Sequence, residues 1–305
     1  MMEINLVKYD GKAGEKIIEL VDRFFPKRIR KKAEAEAYAF VTMERAKADA
    51  ESYSMISKAE SLDRINDRML ARELKRQNNI DSVVEIALNE FQHETSVSDE
   101  NVSEDWGTRF FNIVEDISDS DMQLFWGKIL AGEVKSPNSY SLRTLEVFRN
   151  LSSAEAKTFH KLAQVALNWG GRMMIFANEE NDFLKNKCDI TFSDIMLMKE
   201  VGIISSIENL GITFEFKLDK PSLLLYNNIG IEVTAKKKQV EVIIKNYAFT
   251  TVGRELIKLV QQEINFDYLK YVETLFKSAS LEVVIGKVKN VEGKTVIENL
   301  FNIPD

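Results

Sequence analysis

Cysteine is nearly missing from this sequence: Cys188 stands alone among 305 residues. That excludes an internal disulfide framework and any cysteine-rich zinc site, and it fits a reducing compartment. Histidine is almost as scarce. His93 and His160 fall in separate predicted helices, and neither has a partner at the spacing of a His-Glu-x-x-His metal site. No Gly-rich phosphate loop leads into a helix through Lys-Ser or Lys-Thr, and no Gly-x-Ser-x-Gly elbow occurs. No stretch approaches the ~18 consecutive apolar residues of a membrane-spanning helix. The start, MMEINLVKYDGKAGEK, lacks the basic and unbroken apolar regions of a signal peptide. These absences predict a cytoplasmic protein that is not an enzyme, with no cofactor, no metal and no catalytic residue set. Lysines at 185 and 187 favour thiolate at Cys188, but no base accompanies it, so the thiol is read as incidental.

Glycine and proline are also missing where they would matter most. From Pro26 to Arg76 there is no glycine and no second proline, while Ala, Glu, Lys, Arg, Met and Leu dominate. These are the strongest helix formers, so one helix is predicted over 26–76. It would run roughly 75 Å, more than twice the span of a small domain. Upstream, Ile17, Ile18, Leu20, Val21, Phe24 and Phe25 give Glu15 to Phe25 an apolar helical face, which Pro26 separates from the long helix. The basic cluster Lys27, Arg28, Arg30, Lys31 and Lys32 follows at once. It reads either as the solvated root of the long helix or as a contact for a membrane surface or an acidic partner.

Within the long helix Val41, Ala48, Met55, Leu62 and Met69 recur at seven-residue steps, yet the companion positions Arg45, Ser52, Ala59, Asn66 and Glu73 are mostly polar. A strict coiled-coil seam is therefore not expected. Leu62, Ile65, Met69, Leu70 and Leu74 thicken the apolar stripe near the end, which suits a loose hairpin or a homo-oligomeric bundle. Arg64, Arg68, Arg72 and Arg76 form a column at four-residue spacing, a candidate contact for phosphates or an acidic partner. Nearby Asp63, Asp67 and Glu73 favour the alternative of a salt-bridged, solvated face.

Charge reverses between Glu90 and Asp121, where ten acidic residues face Arg109 alone, although the whole chain carries a formal charge of only -7. This segment is the natural counterpart of the basic root or the arginine column, in the same chain or a neighbour. Four helices are then predicted, over 99–117, 119–133, 139–149 and 152–169, with a core rich in Trp106, Phe110, Phe111, Trp126 and Ile129. After Gly170 and Gly171 the pattern becomes mixed. Met173 to Ala177 is a short apolar run. Helices are expected over 192–201, 251–263 and 266–277, and strands over 213–217, 222–226, 229–234 and 240–247. A closing hairpin pairs 282–288 with 295–297. The predicted class is α+β, mostly α: a helical arm over 1–95, a helical core over 96–169 and an α+β part over 170–305.

Three pieces in the second half look like a winged helix: the helix opened by Ser152-Ser153, the helix ending in Gly202-Ile203-Ile204, and the passage from Tyr247 into Gly253-Arg254-Glu255. A DNA-reading helix needs basic or amide side chains. Asp194, Met196, Met198, Lys199 and Glu200 supply few, so protein contacts are the better expectation. Lys236, Lys237 and Lys238, at a hairpin tip, are the candidate phosphate contacts of a nucleic-acid-binding alternative.

Several stretches resemble a bacterial family of unknown function, DUF2806. They are Asn5 to Lys8, Pro26 with Arg28 to Ala37, Leu124 to Glu133, and Pro137 with Ser141 to Leu145; residues 125–145 are the most specific. The front half is also similar to the abortive-infection alpha family, a resemblance that implies a part in defence against phage. Neither likeness brings a catalytic set, and Trp126, Gly132 and Arg143 read as helix packing. A pocket joining Arg143 to Asp116 and Asp121 would reverse that reading. Taken together the residues predict a self-associating protein that assembles through its long helix. A nucleic-acid regulator and a peripheral membrane scaffold are the alternatives.

Overall fold

The computed structural model describes residues 12–24, 53–91, 97–177, 182–206, 212–218, 220–237, 239–291 and 294–300. The chain divides into two compact units, 1–145 and 146–305.

In the first unit α1 spans Lys12–Phe24, α2 Tyr53–Glu90, α3 Glu104–Val114 and α4 Ser120–Lys135, and α5 begins at Leu142 and continues to Arg149 in the second unit. The long helix thus runs past its predicted end. Its described part runs fourteen residues past Arg76, and 26–52 lies outside the described residues. The extension follows from its sequence: Ile80, Val83, Val84, Ala87 and Leu88 recur at helical spacing and are all buried, packing along α4. Ile17, Leu20 and Val21 of α1 add to the same core. Aromatic rings fill it. Trp106 stacks on Phe110 at 4.9 Å, and Phe110 meets Trp126 edge-on at 5.6 Å. Helix α3 starts at Glu104 rather than Asp99, because Ser98 uses its hydroxyl to accept from the Glu100 N–H in a local turn. Asp119 caps α4 by accepting from Met122 N.

The second unit carries α6 (Ser153–Gln164), β1 (Leu167–Trp169), β2 (Arg172–Phe176), α7 (Phe183–Cys188), α8 (Phe192–Glu200), β3 (Ile212–Lys217), β4 (Ser222–Tyr226), β5 (Ile229–Ala235), β6 (Gln239–Ile244), β7 (Asn246–Ala248), α9 (Thr251–Ile257), α10 (Phe266–Ser278), β8 (Leu281–Val291) and β9 (Lys294–Leu300). A seven-stranded antiparallel sheet runs in the order β7-β2-β1-β4-β5-β8-β9, and β3 pairs with β6 in a separate ribbon. The mostly helical α+β class is as the sequence predicts.

Three local departures have physical causes. The helix predicted to reach Trp169 stops at Gln164, because Gly170 and Gly171 both adopt positive φ and turn β1 into β2 as a tight hairpin. The strand predicted over 240–247 breaks at Lys245, where Asn246 turns its buried amide back onto Ile244 O. Helix α9 ends at Ile257, six residues short. The chain beyond it is drawn across the end of α6, where Gln262 donates to the carbonyls of Ala163 and Ala166.

The second and third of the winged-helix-like pieces are joined by hydrogen bonds. Thr250 Oγ1 donates to Gly202 O at 2.6 Å, Thr250 N to Ile203 O at 2.9 Å, and Ser205 N to Ala248 O at 2.8 Å. Of the strands between those two pieces, β3 and β6 form the separate ribbon, while β4 and β5 join the wide sheet. Alternating buried residues, Ile229, Ile231 and Val233 on β5 against Leu281 and Ile285 on β8, extend that sheet. The ribbon covers part of the core: Trp169 stacks on Phe214 at 4.2 Å and Phe216 at 5.4 Å.

Candidate interaction surface

Among the described residues the longest continuously exposed stretch of helix lies in α2. From Arg64 to Lys75 every residue is exposed, so this length of helix has solvent on all its faces. Isolated helices of such length are marginal in water unless a face is covered. Here the apolar side chains gather on one side. Leu62 and Met69 are 55% and 60% exposed, and Ile65, Leu70 and Leu74 lie at 40% to 42%. A group of this size on a helix otherwise built of charges is an interaction surface rather than a scatter of single residues. From Ile80 the same helix has one face buried, through Ile80, Val83, Val84, Ala87 and Leu88.

The arginine column divides by environment. Arg76 is drawn into the first unit, where it reaches Glu115 at 3.3 Å, Asp116 at 3.2 Å and Glu73 at 3.5 Å. Beside it the buried Asn79 donates to Glu115 O, and Gln123 donates to Ile117 O. The acidic turn after α3 thus fastens the long helix to its own unit through one arginine. Arg64 donates to Ser61 Oγ, while Arg68 and Arg72 are exposed. Asp99, in the same acidic segment, pairs instead with Lys12 of α1, and that lysine holds its carboxyl below the ordinary range.

The stretch from Phe125 to Leu145 is built for packing. Trp126, Ile129, Leu130, Thr144 and Leu145 are inaccessible. A Cβ on Gly127 would stand 2.4 Å from Ile86 Cγ2, and one on Gly132 2.8 Å from the Tyr140 ring, so both helix contacts require glycine. Glu133, 2% exposed, accepts from Asn138 N at 2.7 Å and Tyr140 N at 2.9 Å. The turn it holds presents Tyr140 O to Trp106 Nε1 at 2.8 Å. Sequence reading missed this buried carboxylate; its spacing ahead of Pro137-Asn138 is the only signal. Arg143 is exposed, and Asp116 is engaged with Arg76.

In the second unit Lys236 and Lys237 are exposed at the turn between β5 and β6, and Lys238 lies outside the described residues. The basic cluster Lys27, Arg28, Arg30, Lys31 and Lys32 lies outside them too, as does His93. On α8, Asp194 is consumed by its capping box with Thr191, and Met198 is buried. What faces outward is Phe192, 72% exposed, with Ser193, Met196 and Glu200, a surface without an exposed Arg, Lys, Asn or Gln.

An open cleft of about 490 Å³ is lined by His160, Lys161, Gln164, Lys187, Cys188 and Asn265. Its polar groups serve the fold. Lys161 pairs with Asp189, Lys187 with Asp267, Gln164 accepts from Glu263 N, and Asn265 caps α10 at Tyr268 N. Burial, with the Asp267 charge behind it, pushes the Cys188 thiol up to about 11. This reverses the thiolate expected from the lysines, since the cost of desolvating the charged sulfur outweighs their attraction. Among the described residues no group of three or more His, Cys, Asp or Glu stands close enough to hold a metal ion, and no helix is long and apolar enough to cross a membrane.

Fold and surface together define a mostly helical α+β protein whose distinguishing exposed feature is a helical arm. The chain belongs to the family described as "Protein of unknown function (DUF2806)", whose model matches residues 63–273, from the exposed half of α2 into α10. No curated protein and no solved structure matches it.

Proposed function

We propose that this is a non-enzymatic bacterial protein of the cytoplasm that self-associates through the exposed half of α2, a step in defence against phage. The observation that carries the association is the group Leu62, Ile65, Met69, Leu70 and Leu74, at 40% to 60% exposure and spread over one half of the helix circumference, with Leu62, Ile65 and Met69 closest together. Covering it with a second copy removes that apolar area from water, at roughly 25 cal/mol per Å². The buried, packing character of residues 125–145 supports a scaffold, because the residues most specific to the family are spent on holding helices together. The phage-defence part rests on the likeness of the front half to the abortive-infection alpha family. Light scattering on the purified full chain at micromolar concentration tests the assembly: a species of at least twice the 35.0 kDa chain mass is expected, and a strict monomer refutes it. The process is tested by phage plating on cells with and without the protein; equal plating across a phage panel removes that part.

A further inference from the structure

We infer that the exposed half of α2 carries a separate, basic stripe, Arg64, Arg68, Arg72 and Lys75, that holds the phosphate backbone of double-stranded nucleic acid without reading its sequence. All four residues are exposed. At 3.6 residues per turn they leave the helix within about 80° of its circumference, over a length of roughly 17 Å. The one other residue of 61–75 in that arc is Ser61, and the small Ala71 borders it, so nothing stands higher than the cations. Asp63, Asp67 and Glu73 all lie outside the arc, as do the exposed apolar residues. The stripe therefore does not depend on what covers the apolar half.

Spacing decides against a salt-bridged, solvated face. Ion pairs along a helix form three and four places apart. Arg68, Arg72 and Lys75 have no acid at any of those positions; the charged residues there are Arg64, Arg76 and one another. Arg76 is itself taken by Glu73, Glu115 and Asp116. Like charges at such spacings weaken a helix, and among the described residues no ion pair at Arg68, Arg72 or Lys75 offsets that cost. A polyanion supplies the missing counter-charge. The row Arg64, Arg68, Arg72 repeats every 6 Å or so, about the distance between successive phosphates of a strand, and guanidinium forks grip phosphate oxygens in pairs. No aromatic residue occurs in 61–75, which argues against single strands, since those are held by stacking. An evenly spaced row with no apolar member also suits a repeating charge better than a folded acidic partner, whose contacts centre on apolar anchors.

The test titrates the full chain into labelled DNA duplexes of about 30 base pairs, in two unrelated sequences, and follows anisotropy as salt rises from about 20 to 150 mM. Both sequences should bind equally at the lowest salt, with affinity falling at a double-logarithmic slope of about -3 or steeper. Arg68→Ala and Arg72→Ala should each weaken binding about tenfold or more at the lowest salt and make the slope shallower by about 0.9 for each copy bound. Both variants should melt like the parent, so that the loss is not one of folding. Lys236→Ala with Lys237→Ala should change neither affinity nor slope. Absence of binding at the lowest salt overturns the inference. Arginine variants that bind like the parent, with the loss falling on the Lys236 and Lys237 changes, overturn it by moving the site to the turn between β5 and β6. Poly-glutamate that binds more tightly than the duplex at equal charge concentration overturns it by assigning the stripe to an acidic protein.

Discussion

Replacing Glu133 by alanine tests whether the most family-specific stretch is a folding device. In the folded protein its carboxylate accepts from Asn138 N and Tyr140 N, and it is 2% exposed. Removing it strands the Tyr140 N–H inside the unit, at a cost of about 1–3 kcal/mol for an unsatisfied buried donor. Asn138 is exposed and regains water, adding on the order of 0.5–1 kcal/mol. The Trp106 Nε1 bond to Tyr140 O depends on the same turn. A loss of about 3 kcal/mol follows, or roughly 10 °C in Tm for a unit of this size. Glu133→Gln keeps one accepting oxygen but turns an NH₂ toward the second N–H, so about half that loss is expected. Tryptophan fluorescence during thermal unfolding reads the effect through Trp106 and Trp126. A Glu133→Ala protein that melts within about 1–2 °C of the parent refutes the structural account. If it also fails to associate, the stretch is a site after all.

Met69→Glu places a carboxylate among the exposed apolar residues of α2 and should weaken association at least about tenfold, read as the concentration midpoint in light scattering; unchanged association would move the interface elsewhere. Gly127→Ala forces a Cβ against Ile86 and should destabilise the first unit by about 1–3 kcal/mol in denaturant melts. Cys188 should alkylate at pH 8 about a hundredfold more slowly than an unperturbed thiol, because its value near 11 lies two decades above the ordinary 9.0; rapid labelling of the native protein would contradict its burial. Glu155 is held below its ordinary 4.5 by hydrogen bonds from Ser152. A lowered carboxyl contributes stability above its unfolded value and loses it as pH falls through the folded one. Protection of the first-turn amides of α6, measured against their intrinsic exchange rates, should therefore fall below about pH 4.5, and Glu155→Gln should abolish that dependence.

The second half of the fold was legible almost strand by strand, because period-two alternation and turn residues are local signals. Pro221 and Asn227-Asn228 bracket β4, and both it and β5 lie within a residue of their predicted ends. What could not be read was partnership. Nothing local announces that β8 pairs with β5, or that a strand predicted over 240–247 divides between two sheets at Lys245. The long helix failed differently. Its composition put the end at Arg76, whereas the helix runs on to Glu90 through the burial of Ile80 to Leu88, a packing matter that propensity does not encode. The arginine column was visible as a periodic row, but only the structure separates Arg76, which holds two acids of its own unit, from Arg68 and Arg72, which face solvent.

That division carries a consequence for where a partner can act. Arg76, Asn79 and Gln123 pin α2 at the level of the acidic turn, and from Ile80 onward the helix is core. Residues 64–75 before that pin are exposed on every face, so a partner covering them need not disturb the packing that begins at Ile80. Stability and association are therefore separable by mutation: changes at 127–140 should move the melting temperature first, and changes at 62–70 should move the assembly state alone. A Met69→Glu protein that is monomeric yet melts like the parent at low concentration would satisfy that separation. One that unfolds would mean the helix depends on its partner to exist, which makes assembly a condition of folding rather than a use of the folded chain.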